Sequence, residues 1–318
     1  MRASTTCAAT HSSELATTCF ETLVALADEH INNVAYHSVS QEWLGLYVDT
    51  NLLSALFDLS VARRRTGIDI DCRDRCVRKL DMAIIIGGAA MPQRMEWIQR
   101  AIKLAQVNLD EMQLKSSVTT SNEIPRKRRR VACAQELLFA PTAIPTLSRP
   151  PDIQRYLISH YNAPFVLRGY LDQTSESTSW SAFARWSDPQ YLLSLVGGGR
   201  CVPVEEGNSY NDTDWGQRIV PFEDFLARAG FLGFDNTPDA PTGRPMYLAQ
   251  HSLLRQFPEL ESDMSLPIYV GSGPPPTAEF PSYRAPDSES GVIVNVWVGS
   301  GSGEIVSPAH TVSELPAR

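Results

Sequence analysis

The sequence predicts an α+β protein, a helical N-terminal domain followed by a β-rich C-terminal one, and three observations carry that prediction. From Glu14 to Met112 apolar residues recur at helical spacing, while beyond about Ile144 they come in short runs broken by Pro, Gly, Asn and Asp. Between the two regions lies the basic run Arg126-Lys127-Arg128-Arg129-Arg130. The expected boundaries are residues 1–115 for the helical domain, 116–140 for a basic linker and 141–318 for the β-rich domain.

In the helical region Leu44, Tyr47 and Val48 share one face, as do Leu52, Ala55, Leu56 and Leu59. Ile98, Ala101, Ile102 and Ala105 repeat the pattern. Gly87 and Gly88 signal a helix stop, and Pro92 ahead of Met95 to Leu104 signals a start. Cys72 and Cys76 form the one close pair among six cysteines, and their spacing puts both thiols on one helix face. No second pair with zinc-site spacing follows, so packing is the expected role.

The linker Ser116 to Ile124 is polar and runs into Pro125 and the five cations. Such a run fits the acidic groove of a nuclear import receptor, or repels itself into a solvated loop; both readings stand. Direct nucleic-acid contact is disfavoured, since five charges alone give salt-sensitive, nonspecific binding and the whole chain carries −8.

In the β-rich region, Phe165-Val166-Leu167 and Val202-Pro203-Val204 read as strands, the proline placing the second at a sheet edge. Phe222 to Ala229 reads as a helix and Met246-Tyr247-Leu248 as a strand. Gly271 to Pro276 marks a surface loop. The strongest strand is Val292 to Val298, whose alternate valines make one face wholly aliphatic, followed by a Gly299–Gly303 turn into Glu304 to Ser307.

The 318 residues, 43% of them hydrophobic, are a globular composition. Neither a sustained apolar core in Met1 to Phe20 nor a run long enough to span a membrane is present. No nucleophile elbow, phosphate-binding loop or His-Glu-x-x-His motif occurs. The pairs Glu205-Glu206 and Asp212-Asp214 read as exposed acidic loops, and His30, His37 and His160 have no ligand-like neighbours.

Four groups of residues, in order, carry a resemblance. They are Ala163 to Gly169; Cys201 to Glu205 with Tyr210 and Trp215; Tyr247 to His251 with Phe257 to Leu260; and Asn295-Val296-Trp297 with Ser307 to His310. Over about Ile144 to His310 the chain resembles the front part of a JmjC (cupin-like) domain, in the subgroup typified by lysine-specific demethylase 8 and arginyl hydroxylase, which also carries a helical N-terminal domain. The resemblance implies a double-stranded β-helix. In that family Fe(II) is held by two histidines and a carboxylate, with 2-oxoglutarate as co-substrate. It also implies a protein substrate, a histone or another nuclear or cytoplasmic protein hydroxylated or demethylated at Arg or Lys, and a nuclear or nucleocytoplasmic location. His310 takes the place of the first iron ligand; Tyr210, Trp297 and Ser307 take places that line the 2-oxoglutarate pocket. No catalytic side chain is assigned.

The motif should read His-x-Asp, but Thr311 and Val312 follow His310. Glu314 is the one later carboxylate, at a spacing that does not fit the motif. The expectation is therefore an incomplete barrel that binds neither metal nor co-substrate competently, with Val312 to Arg318 read from an unspliced intron, since Val-Ser can be encoded by a splice-donor sequence. The alternative is a non-catalytic protein-binding module built on the helical domain and the residual sheet.

Overall fold

The structure is a computed structural model that describes residues 2–65, 67–107, 144–160, 163–168, 170, 180–207, 215–229, 246–270, 278, 281–282 and 294–299. The expected linker at 116–140, the expected loop Gly271–Pro276 and the expected hairpin arm at 300–307 lie outside those residues. Contacts divide the chain into two compact units, one formed by Met1–Gln113, Ser187–Pro258 and Asn295–Arg318, the other by Leu114–Trp186 and Glu259–Val294.

The first unit begins with four helices: α1 (Arg2–Asn32), α2 (Gln41–Arg65), α3 (Ile70–Ile85) and α4 (Arg94–Gln106). Asp69 caps α3 by accepting a hydrogen bond from the Cys72 amide at 2.8 Å, satisfying one of the amides that a helix start leaves open. The turn after α3 is tight. Gly88 sits at φ 61°, and Ala89, Met91 and Gln93 are also left-handed, at 49°, 78° and 64°. Left-handed backbone costs a residue with a Cβ roughly 1–2 kcal/mol, so the surrounding contacts must hold this turn. A Cβ on Gly87 would come within 2.4 Å of Val48, so the turn lies directly against α2. Val48, Leu52, Ala55 and Leu59 of α2 meet Cys76, Val77 and Leu80 of α3 and Ile98 and Ile102 of α4 in one core. The expected helical spacing is thus the core-facing stripe except at Leu56, which is exposed, and Cys72 and Cys76 are packing residues.

The same unit holds α5 (Pro189–Val196) and a four-stranded antiparallel sheet in the order β2-β1-β3-β4, with β1 (Cys201–Glu206), β2 (Gly216–Pro221), β3 (Met246–His251) and β4 (Val296–Gly299). Helix α6 (Phe222–Arg228) follows β2, and α7 (Leu253–Gln256) follows β3. Pro203 corrects an expectation: its strand β1 is interior, not an edge. The missing donor is tolerated because β3 pairs only with Glu205 and Glu206, so Pro203 has a ladder partner, Ile219, on the β2 side alone. The strong valine strand also starts later than expected. Val294 and Asn295 precede it, and the ladder to β3 shifts register between Leu248 and His251.

In the second unit Thr146–Leu147 pairs in parallel with Val166–Leu167, and a short helix, Ile153–Ser159, starts at the capping residue Asp152. The buried Asp263 carboxylate accepts from Ser181 Oγ at 2.7 Å, Trp186 Nε1 at 2.9 Å and Arg185 Nη1 at 3.1 Å. These charge-assisted bonds offset the cost of burying the charge. No helix among the described residues is long and apolar enough to cross a membrane.

Candidate functional site

The sheet of the first unit has two unlike faces. Met246, Leu248, Val202 and Val204 are buried and point to the core side. Register and strand alternation place Glu205, Tyr247 and Gly299 together on the other side, and Trp297, two residues before Gly299, joins them. Trp297 is 49% exposed and Tyr247 half-buried, so this face is open. Burial, and secondarily the Glu205 carboxylate opposite, push the Tyr247 phenol above its ordinary value, which keeps it a hydrogen-bond donor. A phenol, a carboxylate and an indole on one open face can hydrogen-bond a polar ligand and stack on a flat one.

Of the residues assigned from sequence, Trp297 stands on this face, while Tyr210, Ser307 and His310 lie outside the described residues. No group of three or more His, Cys, Asp or Glu side chains that could hold a metal occurs among the described residues. His251, on β3, is engaged elsewhere: its Nε2 is 2.6 Å from Gln256 Oε1. By the sequence resemblance the expected His-x-Asp motif reads His310-Thr311-Val312, and an isopropyl group has no lone pair to give a metal.

Behind the sheet lies a feature that sequence reasoning missed. Asp81 of α3 is fully buried and faces Arg200, the residue before β1. Arg200 Nε and Nη2 donate to the Asp81 carboxylate at 2.9 to 3.2 Å. The Cys201 amide and Gln256 Nε2 each donate to it at 2.8 Å. Gln256 Nε2 also reaches the Cys201 carbonyl at 2.8 Å, and Arg200 Nη2 the Gln256 carbonyl at 3.0 Å, while the guanidinium lies 4.4 Å from the Phe257 ring centre. One carboxylate from the helices thus fixes the start of β1 and the end of α7, the helix that follows β3. The glycines ahead of Arg200 make close approach possible: a Cβ on Gly198 would meet the Arg73 guanidinium at 2.6 Å, and Gln106 Nε2 donates to the Gly198 carbonyl at 3.0 Å.

No family model matches the chain. Among curated proteins it is similar to lysine-specific demethylase 8 of Danio rerio, 27% identical over 286 residues that make up 89% of this chain and 61% of that protein. It is 34% identical over 131 residues to Jumonji C domain-containing protein 5 of Drosophila melanogaster, covering 41% of this chain and 28% of that protein. With lysine-specific demethylase JMJ30 of Arabidopsis thaliana the identity is 39% over 102 residues, 31% of this chain and 22% of that one. The chain therefore spans less than two thirds of the length of these relatives.

Proposed function

The chain is a relative of JmjC proteins of the lysine-specific demethylase 8 kind, and from that premise we propose that it carries the helical segment and front strands of an Fe(II)/2-oxoglutarate oxygenase fold, with a protein lysine or arginine side chain as the substrate class. The domain division follows the same premise: helices in residues 1–115, a basic linker at 116–140, and part of a JmjC double-stranded β-helix in 141–318. Trp297, Tyr210 and Ser307 are the side chains proposed for the co-substrate face, and His310 for the metal. As written, the polypeptide does not turn over 2-oxoglutarate. The observation that carries this is Val312 in the place of the motif carboxylate.

The test is succinate release from 2-oxoglutarate by the full chain with Fe(II), beside a His310→Ala control. Equal, background release is expected; release above the control overturns the reading. The basic run Arg126–Arg130 is assigned to a nuclear import receptor, and a reporter fused to residues 121–133 that stays cytoplasmic would refute that part. The second reading is a non-catalytic protein-binding module built on the helical domain and the residual sheet.

A further inference from the structure

The helices of the first unit meet the β-rich segment through polar side chains set apart from their apolar core. Among the described residues that core is supplied by α2, α3, α4 and the turn between the last two, from Val48 to Ala105, with nothing from the sheet. Helix α3 carries a second stripe beside its apolar one. Asp74, Arg78 and Asp81 stand at i, i+4 and i+7 and therefore share a face. Helix α4 presents Gln99 and Gln106 in the same way, two turns apart.

Most of these side chains meet one short segment. Gly197, Gly198, Gly199 and Arg200 connect α5 to β1. Gln106 Nε2 donates to the carbonyls of Val196 at 3.1 Å and Gly198 at 3.0 Å. A Cβ on Gly197 would lie 2.5 Å from Gln106 Nε2, one on Gly198 2.6 Å from the Arg73 guanidinium, and one on Gly199 2.7 Å from Asp74 Oδ1. Gly197 and Gly199 also have left-handed backbone, at φ 74° and 78°. Arg78 Nη1 reaches Cys201 Sγ at 3.6 Å, and Asp81 accepts from Arg200 Nη2 at 2.9 Å and from the Cys201 amide at 2.8 Å. Gln99 Nε2 adds a bond to the Gln256 carbonyl at 2.9 Å. The helices thus meet bare backbone at three successive positions and a guanidinium at the fourth.

A polar contact between parts of one chain resembles the contact between two separate proteins more than it resembles a core. The charge pair buried in it sets the register, because an occupant without the arginine leaves Asp81 desolvated and unpaired. We propose that the α3–α4 face is a docking surface for a Gly-Gly-Gly-Arg loop, in this chain its own residues 197–200. The surface holds helices and sheet together without the covalent connection through residues 108–143, and Asp81 is its specificity-determining residue. The proposal goes beyond the oxygenase reading, and because its readout is association alone it stands or falls separately from the sheet chemistry.

The test uses the full chain with a site-specific protease sequence inserted between Ser121 and Asn122, in the expected linker, and cut after folding. The two pieces co-elute in size-exclusion chromatography, and release of the larger piece from the smaller, tethered by its N-terminus, gives the affinity. Asp81→Asn, which leaves Arg200 without its counter-charge, weakens the association at least about thirtyfold, or roughly 2 kcal/mol. Gly198→Ala, whose methyl group displaces the Arg73 side chain, weakens it about tenfold. Circular dichroism of the separated variant pieces shows that both remain folded. Pieces of the unsubstituted chain that part on cutting overturn the proposal, as does an affinity unchanged by Asp81→Asn or by Gly198→Ala. Variant pieces that part because one has lost its fold also overturn it, since Asp81 would then belong to a single inseparable core.

Discussion

Asp81→Leu is the most informative single substitution in the first unit. It removes the carboxylate that accepts from Arg200, Cys201 and Gln256, and leaves an arginine only 3% exposed without its counter-charge. Breaking a buried ion pair by deleting one partner costs ~3–5 kcal/mol, because the remaining charge is neither hydrated nor paired. That is a large part of the roughly 5–15 kcal/mol that stabilises an ordinary domain. With a urea dependence of ~2–3 kcal/mol per molar, the unfolding midpoint should fall by about 1–2.5 M. Adding Arg200→Met to Asp81→Leu removes the stranded charge and should recover most of the loss, since a buried pair and an apolar replacement of similar volume are often close in stability. The assay is urea unfolding of the four members of the cycle, followed by circular dichroism. A loss below about 1 kcal/mol in Asp81→Leu, or a double variant no more stable than the single one, would refute the role given to this network.

Three further outcomes follow from the structure. Burial holds the His251 imidazole below its ordinary value of 6.5, so the folded state favours the neutral ring; that contribution to stability is fully present above about pH 6.5 and is lost as pH falls through the lower folded value. His251→Gln should flatten the stability profile between about pH 7 and 5, and an unchanged slope would count against it. Burial pushes the Cys76 thiol up to about 12, so iodoacetamide at mildly alkaline pH should leave Cys76 unlabelled in the folded chain while exposed Cys19 reacts, as peptide mapping would show. Gly199→Ala places a Cβ at φ 78° and within 2.7 Å of the Asp74 carboxylate, so thermal unfolding should report a loss of ~1–3 kcal/mol; a neutral result would mean that the loop is not held against α3.

Much of this fold is legible residue by residue. The spacing of Leu52, Ala55 and Leu59, and of Ile98, Ala101 and Ile102, marks core stripes because a helix buries one side, and the capping and stop residues around α3 and α4 act locally. Alternation at Val296, Trp297 and Val298 likewise puts the indole on the open face. What the sequence hides is pairing at a distance. Asp81 and Arg200 are 119 positions apart, and nothing distinguishes them among 36 acidic and 28 basic residues until the chain folds. Pro203 misleads for the same reason: its tolerance depends on how far β3 extends along β1, which no local pattern encodes.

We propose that the metal's donor set is incomplete in this polypeptide, because Val312 stands where the motif carboxylate is expected. Titration of Mn(II), a redox-silent stand-in for Fe(II), with 2-oxoglutarate present and free metal read by electron paramagnetic resonance, tests it directly. The full chain and His310→Ala should leave the same amount of metal free at every addition. Stoichiometric uptake by the full chain that His310→Ala abolishes would contradict it.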